Sequence, residues 1–382
     1  MKITDIKVYK VKPRWIFVKI ITDEGISGWG ELISGTKTET VVACAYEIGK
    51  RVLIGRNPFE IERLFQQMHR SFFRGGPINA TIVSGFEMAL WDIKGKALNV
   101  PVYELLGGVA RDKIKVYSWI GGDRPSGVLE QAQDRINRGF DSIKMNATEE
   151  LHYIDTIEKV DSVIERVSIL RENFGNKINI GIDFHGRVHK PMAKVLAKEL
   201  EQFHPMFLEE VVLPENYEYY KTISNLVSTP LATGEREYTR WAFKKIFEQK
   251  AIDIIQPDVA LCGGILELRK IAAMAEAYDM AVAPHAPYGP IALAATLQVD
   301  SCTPNVFIQE QSLGIHYNKG FDLLDFVKNK EIFEFKDGFV NIPKKSGLGI
   351  EIDEDYLDEI AKEGLVWTNP SWTHYDGTIA EW

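Results

Sequence analysis

Cysteine is scarce in this chain: Cys44, Cys262 and Cys302 are three in number, widely spaced and odd in count. That speaks against a disulfide framework and for a reducing compartment. Long apolar runs are missing as well, with no stretch of about 18 apolar residues to suggest a membrane span. The opening Met-Lys-Ile-Thr-Asp-Ile-Lys enters strand-like alternation at once, without a signal-peptide pattern, so a cytoplasmic location is expected. Positive charge is in deficit, the formal net charge being −9, which argues against nucleic acid or an anionic membrane as partner. A small anionic substrate stays open, because local charge at a site governs its binding. Several chemical signatures are absent too: no Walker loop, no G-x-G-x-x-G after a strand, no G-x-S-x-G elbow and no C-x-x-C.

What is present is a soluble globular composition, 45% apolar and 26% charged. At 382 residues the chain has room for a barrel of about 200–250 residues and a second domain. Residues 1–35 alternate apolar and polar, with Glu24-Gly25 and Ser27-Gly28 as turn signals, which predicts an antiparallel meander. From Thr38 to Leu106 the period is helical, and Gly107-Gly108 stops it. Residues 1–114 therefore read as an α+β domain. Strand and helix then alternate over 115–325, with helices expected near 151–173, 190–203 and 264–278. Beyond Asp325 the pattern loosens. Phe335–Ile350 resembles further antiparallel strands, and the Trp-rich tail (Trp367, Trp372, Trp382) is expected to pack back on the N-terminal domain.

Six residues punctuate the alternating region: Asp183, Glu209, Glu235, Asp258, His285 and Glu310, with gaps by subtraction of 26, 26, 23, 27 and 25. Each closes a short apolar run, and each gap suits one strand–loop–helix–loop unit. Polar residues at successive strand tips describe the working face of a (β/α) barrel of eight strands. Three neighbouring carboxylates, Asp183, Glu209 and Glu235, would repel one another unless a cation sat among them. All-oxygen ligation with open positions suits Mg²⁺. A single such acid could equally be a helix N-cap; three in register point to the metal.

His185, two residues after Asp183, is expected on the same side by strand alternation, where it could act as general acid or base. The His185-x-x-x-His189 spacing is not a zinc pair, because the first histidine ends a strand and does not start a helix. Asp258 and His285 stand on adjacent strand ends, and a carboxylate bonded to an imidazole raises its basicity. Pro284 and Pro287 flank His285 and stiffen its loop. Glu310, among other charges, could donate a hydrogen bond if its pKa were raised. Gly263-Gly264 is better read as a tight turn than as an anion nest.

With these residues in place, the chain resembles the enolase superfamily, in its mandelate-racemase-like acid-sugar dehydratase branch, and is most similar to the D-galactonate dehydratases. The motifs are Arg14-Trp15, Gly28-Trp-Gly-Glu31, Arg74-Gly-Gly-Pro77, Trp91-Asp-Ile-Lys-Gly-Lys96, Tyr117-Ser-Trp-Ile-Gly-Gly-Asp-Arg-Pro125, Asp183-Phe-His-Gly-Arg187, Gly234-Glu-Arg236, Gln256-Pro-Asp258, Pro284-His285 and the run from Gln309 to Lys319. The resemblance implies a modified TIM (β/α)7β barrel under an α+β capping domain. That cap would be built from the N-terminal region and the C-terminal segment 326–382. It implies one Mg²⁺ per subunit on Asp183, Glu209 and Glu235, a small sugar acid as substrate, and assembly with further copies of the chain as a homo-oligomer. His285, assisted by Asp258, resembles the base that takes the C2 proton. His185 resembles the acid that protonates the departing 3-hydroxyl, and Glu310 the group that stabilises the enediolate.

Departures accompany the resemblance. Lys144-Met-Asn146 stands where many members have Lys-x-Lys, which weighs against a lysine-dependent racemase or cycloisomerase. Val211-Val212 follows Glu209-Glu210 where Glu-Glu-Pro is common, and Ala286 and Tyr288 differ from the expected Cys and Leu. The implied activity is that of a hydro-lyase converting D-galactonate to 2-dehydro-3-deoxy-D-galactonate. Another aldonate such as gluconate is the alternative, and so is racemisation or epimerisation of a 2-hydroxy acid.

Overall fold

In the computed structural model, which describes residues 1–35, 37–71, 74–365 and 367–382, the opening alternation becomes an antiparallel sheet. Its strands are β1 (Ile3–Val11), β2 (Trp15–Thr22) and β3 (Ser27–Ile33). Helices α1 (Thr38–Ile48), α2 (Ile61–His69), α3 (Gly76–Leu98) and α4 (Val102–Leu105) follow. The Gly28-x-Gly30 motif is explained by close approach of β3 to α3. A Cβ at Gly30 would lie 1.8 Å from the Gly85 carbonyl, and one at Gly28 2.0 Å from that of Ala89. Sheet and helix therefore meet backbone to backbone, which glycine alone permits. Trp15, of the Arg14-Trp15 motif, is a core side chain 1% exposed and edge-on to Phe326.

Eight parallel strands come next: β4 (Lys113–Trp119), β5 (Ser142–Asn146), β6 (Asn179–Asp183), β7 (Phe207–Glu209), β8 (Leu231–Thr233), β9 (Ile254–Ile255), β10 (Ala281–Val282) and β11 (Gln309–Glu310). They pair in chain order from β4 to β10, with β11 beside β4. A parallel bridge from Val282 to Val306 brings the far edge round to the segment leading into β11. The seven intervals hold α5 (Val128–Asn137), α6 (Ile157–Phe174), α7 (Lys190–Leu200), α8 (Tyr220–Ser224), α9 (Thr239–Gln249), α10 (Ile265–Ala277) and α11 (Pro290–Ser301). This is the (β/α)7β pattern. Tyr117, Phe207, Ala232, Ile254, Ala283 and Ile308 form a separate buried cluster drawn from the strand runs, as expected of a filled barrel interior.

After the barrel, one short strand forms where several were expected: β12 (Phe339–Asn341), antiparallel to β4. Short 3-10 turns and irregular chain pack around it, and α12 (Glu354–Ala361) ties to β2 through Lys19 and Glu354 at 2.5 Å. The tail also departs from expectation. Trp367 does reach Arg14 of the N-terminal domain, but Trp372 lies 4.0 Å from the Arg124 guanidinium, and Trp382 lies on His185. Cationic and aromatic partners on the barrel loops draw it to the barrel mouth.

Two buried carboxylates of the N-terminal domain cap barrel helices. Glu87 accepts from the amides of Ile265 (2.6 Å) and Leu266 (3.0 Å) at the start of α10, filling the turn made by Gly263-Gly264. Glu31 accepts from Gly289 (2.6 Å) and Ala292 (2.9 Å) at the start of α11. Burial pushes the Glu87 pKa up to about 8 and that of Glu31 to about 7, against the pull of these amides. Glu87→Ala would leave buried N–H groups without an acceptor, and a loss of about 2–3 kcal/mol is expected. Denaturant unfolding measures it; an unchanged midpoint would deny the carboxylate this role.

Candidate active site

The six periodic residues all reach the C-terminal mouth of the barrel. Asp183, Glu209 and Glu310 end their strands, while Glu235, Asp258 and His285 follow theirs within a few residues. Asp183 pairs with Glu209 in the β6–β7 register, and a parallel bridge joins Asp258 to His285. One ligand oxygen from each of Asp183, Glu209 and Glu235 lies within 4.8 Å of the others. The buried Oδ2 of Asp183 has no hydrogen-bond partner. Burial raises the Asp183 pKa to about 6, Lys144 opposing and Glu235 adding to the shift, and burial and Asp183 raise Glu209 well above its ordinary range. A buried cluster of oxygen donors whose like charges face one another fits a hard divalent cation.

Lys144 is the functional residue that sequence reasoning passed over, noting it merely as half of a broken Lys-x-Lys. It is fully buried, with Nζ 2.8 and 2.9 Å from the two Glu209 oxygens, 3.2 Å from Glu310 and 3.8 Å from Asp183. The available signal was a charged residue inside a buried parallel strand, Ser-Ile-Lys-Met-Asn. Burial alone would lower the Lys144 pKa, but Glu209, Glu310 and other acidic neighbours raise it well above normal.

His285 Nδ1 lies 2.7 Å from Asp258 Oδ2, while Nε2 lies 3.4 Å from Glu235 and 3.8 Å from Glu310. Burial opposes charging, yet Glu235, Glu310 and Asp258 together raise its pKa to about 10. Glu310 moves opposite to expectation. Burial would raise its pKa, but Lys144, His285, the Ala286 amide at 2.8 Å and the Trp119 indole hold it below the ordinary value. It therefore stands as an ionised acceptor.

His185 reaches the mouth by a route different from strand alternation. β6 has already ended, and His185 takes a left-handed turn, φ +55°, with its amide donating to Asp183 Oδ1 at 2.6 Å. Arg187 Nη2 lies 2.9 Å from His185 Nδ1. Arginine can act solely as donor, so that nitrogen accepts and the neutral ring carries its proton on Nε2. Burial, with Arg187, Arg236, Lys144 and His285, pushes the His185 pKa well below its ordinary value. His189 instead stands before α7, stacked on Tyr153 with ring centroids 3.6 Å apart.

His185, Glu235 and His285 line one small cavity, about 70 Å³, together with Arg14, Asn146, Tyr288 and Trp382. Tyr288 stands edge-on to His285 with centroids 5.7 Å apart, so this departure does face the site. Val211 and Val212 are buried and away from it. A larger groove between α5 and α6 carries no comparable convergence of buried acids and bases.

Residues 8–107 match the mandelate racemase / muconate lactonizing enzyme N-terminal domain, and residues 127–356 match the enolase C-terminal domain-like family. The chain belongs to the enolase superfamily. A solved structure from Agrobacterium radiobacter, described as a proposed galactarate dehydratase bound to Na and L-malate, is 30% identical over all of both chains with a TM-score of 0.90. A proposed dehydratase from Mesorhizobium loti is 31% identical, covering 96% of this chain and 99% of its own, with a TM-score of 0.87. A mandelate racemase/muconate lactonizing enzyme homologue from Burkholderia SAR-1 is 34% identical over 94% of each chain, with a TM-score of 0.86. These enolase-superfamily neighbours thus include proteins described as proposed dehydratases. Among the described residues of this superfamily member, no helix is long and apolar enough to cross a membrane.

Proposed function

We propose that this enolase-superfamily protein is a Mg²⁺-dependent hydro-lyase of six-carbon sugar acids, with D-galactonate as first substrate and 2-dehydro-3-deoxy-D-galactonate as product. The observation that carries the reading is a carboxylate-backed imidazole, His285 on Asp258 at 2.7 Å, sharing one cavity with His185 beside three clustered acids.

Asp183, Glu209 and Glu235 would hold the cation, which supplies Lewis-acid stabilisation of charge building on the substrate carboxylate. With Nδ1 committed to Asp258, His285 turns Nε2 to the cavity. Glu235, once it held a cation, would lose part of the negative charge that keeps this ring protonated, freeing the Nε2 lone pair to take the C2 proton as base. The charge left on the substrate must then expel the 3-hydroxyl, and His185 is the residue placed to hand a proton to it. Its positive neighbours keep that ring neutral on its own, so to act as acid it must first take a proton from solvent on Nδ1 and give up the bond from Arg187. An anionic substrate alongside favours that charged form, which then donates from Nε2. Glu310, held ionised by Lys144 and His285, would act as donor towards the enediolate after taking a proton, a change that the charge of the bound anion favours. The two histidines follow β6 and β10, four strands apart, so they can flank a substrate on opposite faces.

A six-carbon diacid is the second reading, favoured by Arg14. Its guanidinium lines the cavity 4.7 Å from the Tyr317 ring and 5.2 Å from the Tyr288 ring, where it could pair a distal carboxylate. The test is incubation with galactonate, gluconate and galactarate plus Mg²⁺, detecting 2-keto-3-deoxy acids. Product from at least one is expected, and chelation of the metal should stop it. Deuterium entering C2 without any keto acid would instead mean racemisation or epimerisation and would end the dehydratase reading.

A further inference from the structure

The tail after α12 closes the barrel mouth, and its final aromatic reaches the site. Thr373 and Ile379 form an antiparallel bridge, and the Ala380 amide donates to the Trp372 carbonyl at 3.0 Å, making a small hairpin. Arg124 over Trp372 (4.0 Å) and His152 stacked on His374 (4.0 Å between centroids) pin that hairpin to the barrel loops. Beyond it, the Trp382 ring lies 4.8 Å from the His185 ring, centroid to centroid. Trp382 lines the reactive cavity and also the outer groove formed by His189, Lys190, Pro214 and Arg236, so its indole is the partition between them.

The indole Nε1 of Trp382 is buried and has no acceptor. Buried polar groups in folded proteins nearly always find a partner, and an indole N–H can act solely as donor. An oxygen-rich ligand in the adjoining cavity would provide the missing acceptor. Asn146 Oδ1, on the same cavity, is likewise buried without a partner and would accept from a hydroxyl.

We infer that Trp382 contacts the substrate and determines its specificity, walling the cavity beside His185 and donating its indole N–H to an oxygen of the bound sugar acid. The inference rests on the sugar-acid dehydratase reading above. It separates two contributions, ring and donor, that two substitutions can dissect. Trp382→Phe keeps an aromatic wall without the donor, and an approximately tenfold fall in kcat/KM is expected, mainly through KM. Trp382→Ala opens the partition, so a larger fall is expected together with a changed ratio of kcat/KM among galactonate, gluconate and galactarate. Tyr375→Ala, on the same hairpin and 94% exposed, should match wild type.

Steady-state kinetics with all three sugar acids, and circular dichroism to confirm folding, test this. Both Trp382 variants within twofold of wild type on every substrate would overturn it while leaving the dehydratase reading intact. Should Trp382→Ala unfold, Trp382→Phe decides alone. A wild-type protein that turns over none of the three would sink the dehydratase reading, and this inference with it.

Discussion

Replacing His285 with Asn should lower kcat at least about 10³-fold, within the range that general acid–base groups supply, while melting temperature and divalent-ion binding stay near wild type. The physical reason lies in the two nitrogens of His285. One is committed to Asp258 at 2.7 Å, which leaves the other as the base facing the cavity. Asparagine can still bond Asp258, but it has no nitrogen able to take a proton at neutral pH. Asp258→Asn should also slow turnover, by about 10²–10⁴-fold, because an amide no longer selects the imidazole tautomer or stabilises the imidazolium. C2 proton exchange in deuterium oxide is the sharper assay, since it reports proton removal without requiring loss of the hydroxyl. If His285→Asn keeps a tenth or more of wild-type exchange, another residue is the base.

Lys144→Met should cost roughly 3–5 kcal/mol of stability without added divalent ion, the usual penalty for stripping one partner from a buried charge cluster. Lys144 is the ammonium held between Glu209 and Glu310, and all three side chains are fully buried. Methionine matches its length but leaves those carboxylates facing one another. A divalent ion that binds the folded state alone stabilises it by mass action, so millimolar Mg²⁺ should restore more stability to Lys144→Met than to wild type. Thermal unfolding with and without Mg²⁺ measures both effects. A melting temperature unchanged by the substitution, or equal Mg²⁺ increments in the two proteins, would show that the lysine does not compensate these acids.

Much of the architecture was legible from the chain because it rests on local periodicity. Fully buried parallel strands read as apolar runs ended by a polar tip, and that pattern located Asp183, Glu209, Asp258, His285 and Glu310 at one mouth. Glu235 came the same way, although β8, like β9 before Asp258 and β10 before His285, ends two or three residues earlier. His185 reached the site as anticipated but through a left-handed turn, which alternation does not foresee. Segment 335–350 mimicked a run of strands, yet just Phe339–Asn341 found a partner edge, on β4.

The chain by itself determined the order of acids and histidines around the rim, since the β/α repeat length forces each strand tip to the same end. Tertiary structure decided their protonation and their company. Glu310 is held ionised, His185 is held neutral, Lys144 lies among the acids, and Trp382 returns to the cavity. Each of these outcomes depends on distances between residues remote in sequence, because charge interactions, burial and stacking act through space and leave no periodic trace along the chain.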